Sequence, residues 1–118
     1  MNRPEQALQR TVVEYLRWAL PDDCYWTAIN PAPAKGVVMG RIAKSLGAKA
    51  GVPDLLLLYG GRVHFVELKA KLPRLSDVQK LTRDAIRSAG GFHFICTSLD
   101  ELVMCLKIME IPLKAGMA

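Results

Sequence analysis

Residues 51–69 read GVPDLLLLYGGRVHFVELK, two apolar runs on either side of Gly60-Gly61. Runs of this length joined by a Gly-Gly turn are the signature of a β-hairpin, with strands expected near Asp54 to Tyr59 and Arg62 to Lys69. With the two glycines as the turn, Tyr59 opposes Arg62, and counting back along both strands sets Asp54 opposite Glu67. A four-residue loop centred on the same glycines keeps that register. Side chains alternate along a strand, so Leu56, Leu58, Val63, Phe65, Glu67 and Lys69 share one face, while Leu55, Leu57, His64, Val66 and Leu68 share the other. Both faces are mostly apolar, as in a sheet covered by helices on two sides. Yet Asp54, Glu67 and Lys69 gather at one end of it.

Two carboxylates opposed across a strand pair stand roughly 5 Å apart at Cβ, where an effective dielectric near 20 leaves a repulsion of about 3 kcal/mol. A favourable cross-strand pair contributes only about 0.2–1 kcal/mol, so the repulsion wins unless positive charge intervenes. Lys69 supplies one charge, and a divalent cation held by carboxylate oxygens would supply two more. Metal-assisted phosphodiester hydrolysis uses such a site, with the ion lowering the pKa of a bound water and offsetting charge on the phosphate. Lys69 would then orient the attacking water or hold a phosphate oxygen. The plain alternative is a strand-end ion pair between Glu67 and Lys69, with Asp54 only opening its strand.

The remainder of the 118-residue chain supports a single domain over residues 1–118, since half its residues are apolar and the length suffices for one core. The apolar runs are too short to span a membrane, and the polar start MNRPEQALQR does not resemble a signal peptide, so a cytoplasmic protein is expected. Cys24, Cys96 and Cys105 are odd in number and widely spaced, which argues against a disulfide framework and a zinc cluster and for reduced, buried thiols. Sixteen Lys and Arg against eleven Asp and Glu leave a net charge of +5, suited to a polyanion but equally explained by solubility.

Apolar residues at Leu8, Val12, Tyr15, Leu16 and Ala19 follow a helical period from Arg3, and Pro21 comes just beyond the end. Cys24 to Ile29 is a short aromatic and β-branched strand, and Val38 to Leu46 forms a short helix capped by Gly47. After the hairpin, Ser76 caps a helix with Val78, Leu81, Ala85 and Ile86 on one face and Gly90 at its end. Phe92 to Cys96 is a buried strand, and Ser98 opens a last helix through Ile108. The strand from Arg62, the helix from Ser76 and the strand from Phe92 form a βαβ unit, so those two strands are predicted to be parallel.

Pro53-Asp54 followed by Glu67-Leu68-Lys69 resembles the PD-(D/E)xK nuclease signature. More closely, GVPDLLLL, then FVELKA, then LSDVQ resembles the VRR-NUC family, virus-type replication and repair nucleases, over most of the chain from Glu5 to Gln79. The resemblance implies an α/β fold with a restriction-endonuclease-like three-layer core. Its mixed sheet of about four strands is flanked by helices in the order α-β-β-β-α-β-α, the short helix standing between the first two strands. It also implies Mg²⁺ or Mn²⁺ as cofactor and cleavage of DNA, branched or junction DNA in particular, by a homodimer in a bacterial or phage-infected cell. Asp54, Glu67 and the backbone carbonyl of Leu68 would ligate the metal. Glu5 would reach it directly or through water, and Gln79 would position water or Lys69. Glu5 and Gln79 each have a second reading, as the third residues of capping boxes begun by Asn2 and Ser76. Pro31-Ala32-Pro33 replaces the glycine-rich turn expected after Asn30.

Lys35, Arg41, Lys44 and Lys49 are candidates for phosphate contacts, with Lys71 and Arg74 as a second group. No recognition helix or finger is evident, so selection by nucleic-acid shape is expected over base readout. Trp18, Trp26 and Phe92 are expected in the core, and His64 and His93 away from catalysis. The rivals are a junction resolvase of another branch, an RNA-directed nuclease, and a catalytically silent nucleic-acid-binding module on the same fold.

Overall fold

The computed structural model describes residues 2–29 and 36–116, so Lys35 and the Pro31-Ala32-Pro33 turn lie outside the described residues. The order along the chain is α1 (Arg3–Ala19), β1 (Tyr25–Ala28), α2 (Gly36–Ser45), β2 (Leu55–Tyr59), β3 (Arg62–Leu68), α3 (Asp77–Ser88), β4 (Phe92–Cys96) and α4 (Leu99–Ile108). The strands form one mixed sheet ordered β1-β2-β3-β4. This is the α/β architecture expected, and its register is the predicted one: Tyr59 opposes Arg62, and Leu55 opposes Val66. β3 and β4 run parallel, as the βαβ unit requires.

Periodicity explains which faces close. Val12, Leu16 and Ala19 lie on one stripe of α1 and are fully buried, together with Leu102 and Leu106 of α4. They pack on the sheet face carrying Leu55, Leu57, Val66, Leu68 and Cys96. Each fully buried leucine contributes about 1.5–3 kcal/mol relative to exposure, so this layer is the main source of stability. α3 packs on β4, and Leu58 of β2 stays partly exposed. α2 buries none of its residues, and among the described residues no other helix or strand packs on it.

Two expectations about the core need correction. Trp18 is exposed, because it stands off the buried stripe of α1 and donates its indole N–H to Glu14 one turn earlier at 3.1 Å. Phe92 begins β4 at the sheet margin, where it is exposed on one side and stacked on His64 with ring centroids 5.1 Å apart. Trp26 does pack against the core. His64 and His93 are buried, and burial pushes both imidazoles below their usual pKa, so they are neutral packing groups. Cys24 and Cys96 are buried, Cys105 is half-buried, and all three are free thiols.

One glycine positions the site. Gly51 has φ of +78°, and a Cβ there would lie 2.8 Å from Thr82 Oγ1 and 2.8 Å from Val78 Cγ1. The segment before Asp54 therefore lies directly on α3, and Thr82 Oγ1 donates to the carbonyl of Ala50 at 3.3 Å. Gly51→Ala is expected to destabilise the protein by about 2–4 kcal/mol, combining left-handed strain with overpacking. Urea unfolding would measure it, and a loss below about 0.5 kcal/mol would show that the contact relaxes freely.

Candidate active site

Asp54 is fixed at three points just before β2. Its N–H donates to Val66 O at 3.1 Å and its carbonyl accepts from Ile29 N at 2.8 Å. Its side chain takes the next rung of the hairpin, with Oδ2 accepting from Leu68 N at 2.7 Å. Where the backbone ladder ends, a carboxylate continues it. Asp54 thereby joins β1, β2 and β3 at the end of the sheet, beside Glu67.

Glu67 is the penultimate residue of β3 and only 5 % exposed. Burial first, and the nearby charge of Asp54 second, push its carboxyl up to about 8. Asp54 is also raised, chiefly by burial, with the Leu68 N–H acting in the opposite direction. Burial thus favours the protonated form of both carboxyls, most strongly at Glu67. Glu67 Oε1 accepts from Gln79 Nε2 at 2.9 Å and lies 4.0 Å from Lys69 Nζ, whereas Glu67 Oε2 is buried beside the Asp54 carboxyl and receives no hydrogen bond from a fixed donor among the described residues.

Gln79 connects the elements. Its Oε1 accepts from Lys69 Nζ at 2.8 Å and from Ser76 N at 2.9 Å, and its backbone N–H donates to Ser76 Oγ at 3.2 Å. The capping box and a place beside the acid pair were alternatives in the sequence; one side chain makes both sets of contacts. Because an amide offers an acceptor at one end and donors at the other, Gln79 can face an ammonium and a carboxylate together. Glu5 is similar in part. Its N–H caps onto Asn2 Oδ1 at 2.9 Å, while its side chain, half-buried, borders the cleft that contains Asp54 and Glu67.

The cleft has a volume of about 1380 Å³. Asp54, Glu67, Lys69 and Gln79 all line it, and so do Lys44 and Lys49. Lys71 and Arg74 line a smaller basin of about 450 Å³ that shares Glu5 and Lys69 with the large cleft. Arg41 is exposed and does not border either cavity. Two cations of the cleft are not evident from the sequence: Arg10 and Arg17 of α1, seven apart and hence on one helix face. Their spacing was visible, but a polar helix face in a single sequence reads as solvent-facing.

The donor set suits a hard divalent cation. A buried carboxylate oxygen that receives no hydrogen bond among the described residues stands beside a second carboxylate, both raised in pKa chiefly by burial, and oxygen ligands of this kind hold Mg²⁺ or Mn²⁺. Among the described residues no group of three or more His, Cys, Asp or Glu side chains stands close enough to hold an ion. Glu5 lines the same cleft, and its charge helps to raise both carboxyls. No helix among the described residues is long and apolar enough to cross a membrane.

The family model described as the VRR-NUC domain matches residues 2–100. A solved structure titled "VRR_NUC domain" is similar over 90 % of this chain and 97 % of its own, with a TM-score of 0.58 at 16 % identity, a likeness of fold. Curated proteins contain no significant match to the sequence.

Proposed function

Because the chain belongs to the VRR-NUC domain family, a family of nuclease type, we propose that it is a DNA endonuclease that uses Mg²⁺ or Mn²⁺ to hydrolyse phosphodiester bonds. The observation that carries this reading is Glu67 Oε2, buried beside Asp54 without a fixed donor among the described residues, at the floor of a cleft lined by cations.

Asp54, Glu67 and the Leu68 carbonyl would hold the ion, and Glu5 would reach it directly or through water. When bound, the ion lowers the pKa of water and offsets charge on the phosphate. Lys69, held at Nζ by Gln79 Oε1, directs its ammonium at the attacking water or at a phosphate oxygen. Gln79 Nε2 fixes Glu67 Oε1 and so leaves Oε2 for the metal. The substrate is branched or junction DNA in replication, recombination or repair, in the cytoplasm of a bacterial or phage-infected cell. The protein acts as a homodimer, since one cleft addresses one strand and a junction presents two. A silent DNA-binding module is disfavoured, because opposed buried carboxylates weaken binding to a polyanion unless a cation joins them.

Incubation with labelled four-way junction, flap and duplex DNA in Mg²⁺, Mn²⁺ or EDTA tests the reading. Cleavage only with metal is expected. Equal cleavage in EDTA would remove the metal mechanism, and binding without cleavage in every metal would establish the silent module.

Gln79 gives a separate test. Gln79→Glu preserves a capping box but replaces the Nε2 donor with a charge against Glu67, so cleavage is expected to fall about 10²-fold with the helix intact. Ser76→Ala removes the cap at a cost of about 0.5–2 kcal/mol and is expected to leave cleavage within a few-fold. If Gln79→Glu cuts as fast as the unaltered protein, the amide has only a capping role.

A further inference from the structure

We propose that the cleft holds a single-stranded segment of the substrate, and that Arg10 on α1 clamps its phosphates together with Lys44 and Lys49, a refinement that rests on the nuclease reading above. The first observation is unspent charge. Arg10, Lys44 and Lys49 are exposed residues bordering one cleft, and among the described residues their side chains make no ion pair or hydrogen bond. Arg17, further along the same face of α1, is paired only with exposed Glu14 at 3.7 Å, a contact of little net energy that a phosphate can displace. Arg10 lies on one wall, and Lys44 and Lys49, at the end of α2 and just after it, belong to another. Cations on two walls grip a backbone that runs between them, whereas a single basic face only attracts one.

The second observation is size. The α1 wall extends from Glu5 to Arg17, about 18 Å at 1.5 Å per residue. A volume of about 1380 Å³ over that length gives a mean width of about 9 Å for atom centres, or about 12 Å between wall surfaces. That admits one extended strand but not a duplex, whose major groove alone is about 12 Å wide. The third is continuity. The large cleft and the basin of Lys71 and Arg74 are lined in common by Glu5 and Lys69, so a strand lying over these two residues would meet cations on both sides of the acid pair. A path open at both ends does not require a strand terminus.

The test measures binding in EDTA by fluorescence anisotropy, with labelled (dT)20 and a 20-bp duplex across a salt series. Expected is at least tenfold tighter binding of (dT)20. Each lost phosphate contact flattens the slope of log K against log salt by about 0.7 for a single strand, so Arg10→Ala and Lys49→Ala should each show that loss and their double variant about 1.4. Arg62→Ala, a cation lost at the hairpin turn at the far end of β2 and β3, should leave the slope unchanged. Duplex binding as tight as (dT)20, or an Arg10→Ala slope equal to that of Arg62→Ala, overturns the clamp even if the protein cuts DNA. Failure to cut under any metal with the slopes altered as expected would retain the clamp and overturn the nuclease reading.

Discussion

Lys69→Ala is expected to lower phosphodiester cleavage at least 10²- to 10³-fold, the usual effect of deleting one group that stabilises developing charge. The size follows from the surroundings of the ammonium. Lys69 Nζ is largely buried, held by Gln79 Oε1 at 2.8 Å, and 4.0 Å from Glu67 Oε1. In a site this dry, charge interactions are several-fold stronger than in bulk water. Solvent cannot take over the role, because the fixed partner on α3 sets where the ammonium points. The fold should survive, since Lys69 lies just past the end of β3 and its backbone N–H still donates to Cys96 O at 3.0 Å. Single-turnover cleavage with saturating metal, beside thermal melting, separates the two effects. A variant within tenfold of the unaltered protein, equally folded, would remove Lys69 from the chemistry. Asp54→Asn should show a comparable loss, because it removes one of the two carboxylates from the metal position while the amide oxygen can still accept from Leu68 N.

The second large effect is on stability, and its sign is opposite to that of most core substitutions. In metal-free protein the Glu67 carboxyl is pushed up to about 8, while in the unfolded chain it returns to the ordinary carboxylate value near 4. Below about pH 4 both states hold the proton and nothing depends on it. Between about pH 4 and pH 8 the folded state holds more protons than the unfolded one, so stability falls as pH rises, levelling above 8. The total loss is on the order of a few kcal/mol, shared with coupled Asp54. Glu67→Gln in EDTA should therefore melt higher than the unaltered protein at pH 8 and nearly equal to it at pH 4. Mg²⁺ or Mn²⁺ should raise the melting temperature of the unaltered protein, more at pH 8 than at pH 5.5, because fewer protons must leave to admit the ion. Glu67→Gln should lose most of that response while also losing cleavage. A flat melting profile from pH 4 to 8, or an equal response to metal in both proteins, would show that the acid pair is not the ion's seat. A site that costs stability when empty is the expected signature of one built for a ligand.

These two effects trace back to residues that sequence reasoning reaches by different routes. Asp54 and Glu67 are related by a short turn and a period of two. Once Gly60 and Gly61 make the turn, the opposition of the acids follows from counting, and the observed pairing from Tyr59–Arg62 to Leu55–Val66 agrees. The caps of α1, α3 and α4 are equally local: Asn2, Ser76 and Ser98 each accept from a backbone N–H three residues on. Interactions this close in sequence need no knowledge of the rest of the chain.

Contacts between distant segments are another matter. That Gln79 joins Lys69 to Glu67 depends on where the crossover seats α3 against the end of β3, and that in turn depends on Gly51 letting the Asp54 segment lie on Val78 and Thr82. Arg10 became a cleft residue only when α1 was laid across the sheet by Val12, Leu16 and Ala19, which turns the flank of the helix carrying Arg10 and Arg17 toward the acid pair. Trp18 shows the converse: an aromatic on a helix is expected inside until the helix is rotated into place and its flank proves to face water.

The chain by itself thus determined the elements, the hairpin register, the caps and the meeting of two acids with a lysine, because each arises from backbone geometry repeated over a few residues. The tertiary structure alone decided which amide holds that lysine, which cations face the cleft and how deeply Glu67 is buried. Those properties depend on how helices rest on the sheet, and that is set by the packing of the whole core, to which every apolar residue contributes and no short stretch suffices.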